Sequence, residues 1–249
     1  SQPSAVMAFA ADGALANNIK GFAPRPQQEE LTAAVEQTLR TRHILVAEAG
    51  TGTGKTFAYL VPALQAEERV IISTGTRNLQ DQLFHKDLPL VRKALGRSPR
   101  VALLKGRSNY LCRQRLAEAL LDDQVSMTQR RQLQGVERWM QKTRTGDLAE
   151  HSSLSDDSPL RPQITSTTDN CQGQECPEYE NCHVLKARQR AQSAELVVVN
   201  HHLLFADMAL KEEGFGELLP GAGAVIVDEA HQLAETAGQF FGESISSRQ

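Results

Sequence analysis

Five short apolar runs punctuate the chain: Ile44–Val46, Val70–Ile72, Val101–Leu104, Leu196–Val199 and Val225–Val227. Each is a continuous Val/Ile/Leu stretch, not an alternating one. That pattern marks strands buried on both faces, as in parallel sheets covered by helices. Helix-like sequence follows several of them, at roughly 55–66, 77–87 and 201–211. The alternation predicts an open α/β parallel sheet flanked by helices, of the nucleotide-binding kind.

The alternation breaks between about Lys105 and Ala187. This stretch holds Trp139, the single tryptophan, and all four cysteines. Arg113–Asp122 and Met127–Lys142 carry apolar positions at helical spacing, whereas Thr145–Asp169 is rich in Ser, Thr, Asp and Pro and reads as loop. The expected organisation is therefore a first segment of the α/β unit over 1–104, an inserted, mainly helical four-cysteine subdomain over 105–187, and a second segment of the α/β unit over 188–249.

Chemistry enters at Glu48-Ala49-Gly50-Thr51-Gly52-Thr53-Gly54-Lys55-Thr56, set between a strand and a helix. Backbone N–H groups of such a loop cradle phosphates at a helix N-terminus. Lys55 is expected to reach the β- and γ-phosphates, and Thr56 to offer its hydroxyl to Mg²⁺. Ala49 stands where the strict pattern has Gly, a small departure. The bland alternative is a Gly/Thr-rich turn. Asp228 and Glu229 end the last apolar run. Asp228 there suits water-mediated Mg²⁺ binding, and Glu229 suits polarising an attacking water. A surface turn is the alternative for this pair when taken alone.

Cys112, Cys171, Cys176 and Cys182 are the whole cysteine complement, three of them within a dozen residues. In a reducing compartment such clustering favours a metal over disulfides. Tetrahedral zinc and a thiolate-held iron–sulfur cluster both fit, and the lack of paired C-x-x-C knuckles leans toward iron. Four unligated buried thiols are the structural alternative. Tyr110, Arg107 and Arg113, beside Cys112, offer stacking and phosphate contacts to a single strand; core packing and solvated faces explain them equally well.

Net charge is −3, from 27 Lys+Arg against 30 Asp+Glu, so the overall balance does not announce nucleic acid. Local basic clusters such as Lys186, Arg188 and Arg190 remain candidates. No apolar run approaches the ~20 residues of a bilayer span, and no basic residue precedes the N-terminal Ala-Val-Met-Ala-Phe-Ala-Ala. The expectation is a cytoplasmic protein with no membrane partner.

The order of motifs resembles the XPD/DinG family of superfamily-two iron–sulfur DNA helicases. The resemblance is carried by Glu48–Thr56, by Ile71–Gly75 continuing to Leu79–Leu83, and by Leu104–Cys112. It continues through Val197–Leu203, Gly214–Leu218 and Asp228-Glu229-Ala230-His231. It runs over nearly the whole chain and implies a RecA-like fold. It also implies an ATP-dependent, 5′–3′ DNA helicase of repair or replication, acting on single-stranded DNA and duplex junctions, as a monomer with replication or repair proteins as partners. The cofactors implied are ATP, Mg²⁺ and a 4Fe–4S cluster on the four cysteines. Phe22, Arg25 and Gln28 resemble the adenine-reading motif. Ser73, Thr74 and Thr76 resemble a segment gripping the single-strand backbone, and His231 the histidine linking the ATP site to DNA. Asn200-His201-His202 matches the family without an assignable chemistry, and a structural role is favoured. The family's complete motor has an arch and a second RecA-like half with an arginine finger, so negligible hydrolysis is expected of this segment alone. Two rival readings are a phosphate-loop ATPase or kinase not acting on DNA, and a metal-bearing nucleic-acid-binding module.

Overall fold

The computed structural model of the protein describes residues 4–41, 44–47, 53–212 and 222–229. The chain divides into two compact units, Ser1–Leu104 with Ala191–Gln249, and Lys105–Arg190.

All five apolar runs of the first unit are strands: β1 (Ile44–Ala47), β2 (Val70–Thr74), β3 (Val101–Leu103), β4 (Leu196–Asn200) and β5 (Ala224–Asp228). They form one sheet in the order β1-β5-β2-β4-β3. Every pairing is parallel. Every residue of the central β2 is buried, as the unbroken apolar pattern requires. Short helix α1 (Ala14–Asn18) and the 3-10 turn Ala5–Phe9 precede α2 (Pro26–Thr41) and α3 (Thr53–Gln65). Ala5, Ala8, Phe9 and Leu15 join Val35, Tyr59, Leu60 and Ile72 in the core, so the N-terminal apolar stretch is packing material of this unit.

Pro62 lies inside α3 and cannot donate to the Ala58 carbonyl. The fully buried Thr32 of α2 does so instead, its Oγ1 donating to Ala58 O at 3.1 Å. That hydroxyl's single proton is shared with the Gln28 carbonyl at 2.6 Å, so the threonine offsets part of the missing bond and links α2 to α3.

The helix read at 77–87 extends further. It begins as α4 (Arg77–Gln82), passes through a π turn at Leu83–Asp87 and continues as α5 (Leu88–Leu95). Pro89 reads as a stop in one dimension. The wider π turn lies where its ring would otherwise meet the preceding carbonyls, so the helix survives. Gly96, at φ 63°, then ends α5 in the left-handed conformation.

In the second unit, α6 (Arg113–Leu121) and α7 (Met127–Met140) form, α7 behind a Ser126/Gln129 capping box. The stretch read as loop is largely irregular but contains a 3-10 turn at Leu148–Glu150 and the one-turn α8 (Arg161–Ile164). Leu148, Leu154, Leu160 and Ile164 point into the same core as Leu116, Leu133 and Val136, which explains its order. Lys105 and Asp147 form a buried ion pair at 2.7 Å. Helix α9 (His183–Ser193) leads to β4, and α10 (His201–Glu212) follows it. Among the described residues, no helix is long and apolar enough to cross a membrane.

Candidate active site

Lys55 sits in the first turn of α3, and Asp228 closes β5. The strands leading to both are neighbours, with Ala47 of β1 in register with Asp228. Adjacent parallel strands deliver their following loops to the same sheet edge, where ligands of such sheets bind. The Lys55 Nζ lies 2.6 Å from Asp228 Oδ1 and 3.1 Å from Glu229 Oε1. Burial is the largest influence on the Lys55 ammonium and opposes its charge, but the hydrogen bonds and charges of Asp228 and Glu229 together outweigh it. The net result is an ammonium held above its ordinary pKa.

Asp228 is held on every side. Its Oδ1 also accepts from the Glu229 N–H at 2.7 Å, and its Oδ2 accepts from the Tyr59 hydroxyl at 2.6 Å. Burial, then the neighbouring Asp228, push the Tyr59 hydroxyl well above its usual pKa, so it stays a donor. Thr56 lies within hydrogen-bond reach of Tyr59. Tyr59 escaped the sequence reading. The signal was present: a hydroxyl within the apolar part of the helix, four residues after Lys55 and hence on its face. Glu229 has φ 55°, a strained left-handed conformation for a non-glycine residue.

The remaining expected residues separate into groups. Ala49, Gly50, Thr51, Gly52 and His231 lie outside the described residues. Thr53 opens α3. Gly54 is tight against α2: a Cβ there would stand 2.6 Å from the Gln28 Nε2. Gln28 is buried over this turn with its Oε1 unpartnered. Phe22 stacks in a tilted series with Phe9 and Phe57 at 6.1 and 6.3 Å. Arg25 is exposed just before α2, its carbonyl accepting from Gln28 N at 3.0 Å.

The residues expected to contact DNA differ in exposure. Of Ser73, Thr74 and Thr76, only Thr76 is exposed, and its Oγ1 caps α4 by accepting from Leu79 N at 3.2 Å. Ser73 is fully buried, its hydroxyl turned inward to His201 Nδ1 at 2.7 Å, so it presents nothing to a phosphate. Tyr110 is also buried, its hydroxyl accepting from Lys105 N at 3.1 Å, which favours the packing alternative. Arg107 donates to Ser166 Oγ at 3.3 Å, and Arg113 pairs with Glu178 at 2.8 Å.

The four cysteines are free thiols; Cys171 is exposed and the others are half-buried. Cys112 precedes the first turn of α6, where burial raises its pKa, amides of that turn oppose this, and the charges of Cys176 and Cys182 raise it further. The Gly173 N–H points at Cys171 Sγ from 3.5 Å. Soft donors with amide hydrogen bonds suit a thiolate-held centre in their chemistry. Among the described residues, however, no group of three or more His, Cys, Asp or Glu is gathered to hold a metal ion.

A lysine in a phosphate-loop helix, two carboxylates at the end of the neighbouring strand and an all-parallel sheet define a RecA-like helicase-type domain. The DEAD/DEAH box helicase family model matches residues 25–149, and the chain belongs to that family. It is 53% identical over 245 residues to the ATP-dependent DNA helicase YoaA of Haemophilus influenzae and 52% identical over 242 residues to that of Escherichia coli. Each match covers 97% of this chain. It is 34% identical over 247 residues to the ATP-dependent DNA helicase DinG of Photobacterium profundum, covering 91% of the chain. The chain spans 38% of the length of the two YoaA relatives and 35% of that DinG.

Proposed function

We propose that this chain is part of the first motor half of an ATP-dependent DNA helicase that moves 5′ to 3′ on single-stranded DNA in the cytoplasm. The observation that carries the reading is Lys55 lodged between Asp228 and Glu229 at the ends of adjacent strands β1 and β5. Phosphoryl transfer is catalysed mainly by positioning and charge neutralisation, and these side chains supply both. Lys55 exchanges its carboxylate partners for the β- and γ-phosphates. Thr56 and Asp228 are the residues to hold Mg²⁺, which supplies neutralisation of phosphate charge when bound. Released from Lys55, Glu229 orients the attacking water and accepts its proton. Gln28, buried beside Gly54 with a free acceptor, is placed to sense the nucleotide.

The same reading assigns Cys112, Cys171, Cys176 and Cys182 to a 4Fe–4S cluster. Such a cluster supplies a covalent brace that holds together loops with little core of their own.

The test is ATP hydrolysis by the full-length protein with and without single-stranded DNA. Stimulation by DNA, abolished in Lys55→Ala, is the expected result; hydrolysis indifferent to DNA overturns the helicase reading. For the cluster, Cys171→Ser purified without oxygen is expected to lose iron and visible absorbance. Full iron content in that variant would sink the assignment.

A further inference from the structure

His201 is the one element of the Asn200-His201-His202 segment that the motor site leaves unexplained. It opens α10 at the carboxyl end of β4 and is completely buried. Its Nδ1 lies 2.7 Å from the hydroxyl of Ser73, which is equally buried at the end of β2. Its Nε2 is also buried and makes no hydrogen bond of ordinary geometry. Yet the ring is close enough to the backbone of Glu229 and Asp228 for both to act on it, against the larger effect of burial. A buried ring nitrogen held only by poorly aligned backbone contacts is uncommon and asks for a reason.

The geometry supplies one. A neutral imidazole carries one proton. With the Ser73 hydroxyl donating to Nδ1, that proton sits on Nε2 and faces the Asp228–Glu229 turn. Glu229 is the only non-glycine residue among those described with a left-handed backbone. Strain of this kind persists at sites with alternative arrangements. Ser73 is in register with Val227, one residue before Asp228, so the link crosses a single strand spacing.

We propose that His201 is a positioning residue that ties the end of β2, and the Gly75–Thr76 loop beyond it, to the Asp228–Glu229 turn, so that single-strand binding at the loop sets the direction of the Glu229 carboxylate. The proposal rests on the helicase reading. In it, Ser73 is the inner end of the link, not a phosphate contact. Movement of the β2 end shifts the Ser73–His201 pair, and Nε2 closes onto or leaves a carbonyl of the turn.

The experiment uses the full-length protein with Ser73→Ala, His201→Ala, the double variant and His201→Asn. Turnover is measured with and without single-stranded DNA, alongside DNA affinity by anisotropy and thermal unfolding. Couplings between sites typically amount to ~5–150-fold, so each single change is expected to cut the DNA stimulation factor about tenfold. The double variant should lose no more than the worse single, the mark of one shared link. His201→Asn keeps a polar atom opposite Ser73 and removes Nε2; it should unfold like wild type and still lose stimulation, with its DNA affinity within about threefold of wild type because the loop is untouched. Full stimulation in a folded His201→Asn, or losses that simply multiply in the double variant, overturns the link while leaving the helicase reading intact. A wild-type protein that DNA does not stimulate overturns the helicase reading and the link with it.

Discussion

Tyr59→Phe tests whether Asp228 needs the donor that the sequence did not advertise. The substitution removes one hydroxyl and keeps the ring that fills the core beside Leu60 and Ile72. The lost bond is a 2.6 Å hydrogen bond to a carboxylate. Bonds to charged groups contribute about 1.5–3 kcal/mol. Lys55 and the Glu229 N–H both bind Oδ1, so the buried Oδ2 loses its donor and the upper end, about 2–3 kcal/mol, applies. If that energy serves to hold Asp228 for the reaction, kcat/KM for ATP falls by roughly 30–150-fold. The assay is DNA-stimulated hydrolysis by the full-length protein at several Mg²⁺ concentrations, and the deficit should ease as Mg²⁺ rises. Because the hydroxyl titrates well above 10, the deficit should be flat across the neutral range. A Tyr59→Phe protein within twofold of wild-type kcat/KM at low Mg²⁺ would refute the claim that this bond orients Asp228.

Two further outcomes concern the second unit. Lys105→Met removes one partner of the buried Lys105–Asp147 pair and leaves a carboxylate in a site with 6% side-chain exposure; breaking such a pair costs ~3–5 kcal/mol. Earlier loss of the Trp139 fluorescence signal on heating is the readout, and an unchanged midpoint would contradict the buried-charge argument. Trp139 also stacks on His151 at 5.1 Å and 10°. Burial lowers the His151 pKa, so the folded state binds fewer protons than the unfolded one as pH falls below the ordinary histidine value. This contribution to stability is therefore complete above about pH 6.5 and is lost as pH drops through the folded value. A fluorescence titration should show a step with its midpoint below about 6.5, absent in His151→Gln; a midpoint above it would reverse the sign.

What the sequence disclosed followed from what one dimension can carry. Strands buried on both faces are apolar throughout, so β1 to β5 stood out without any knowledge of their order. The phosphate-loop lysine and the acidic strand end were legible because their residue types and flanking elements are local. That Lys55 meets Asp228 was not local: it depends on β5 inserting between β1 and β2, an order that no hydrophobic pattern encodes. Helix α5 was hidden because Pro89 signals a stop, and only the π turn before it shows how the helix continues. Tyr110 beside two arginines looks like a platform for bases until its buried hydroxyl is seen closing on Lys105 N. Ser73 was expected at a phosphate only through the family resemblance, since a serine at a strand end carries no sign of which way its hydroxyl turns. Its true partner lies 128 residues away.

The strand order also bears on how such a motor joins two tasks. β5 ends at Asp228, with Glu229 next, the carboxylates proposed for catalysis, and β2, whose loop faces the proposed DNA track, is its direct neighbour. β4, on the other side of β2, leads directly into His201 at the start of α10. Neighbouring strands lie ~4.8 Å apart, so the two loops are separated by no more than a side chain. A signal between sites this close needs no long relay through the domain. It needs a polar contact that spans one strand and can stand in two arrangements. A buried serine–histidine pair beside a strained carboxylate turn has that form, whereas apolar packing at the same place would transmit only bulk displacement.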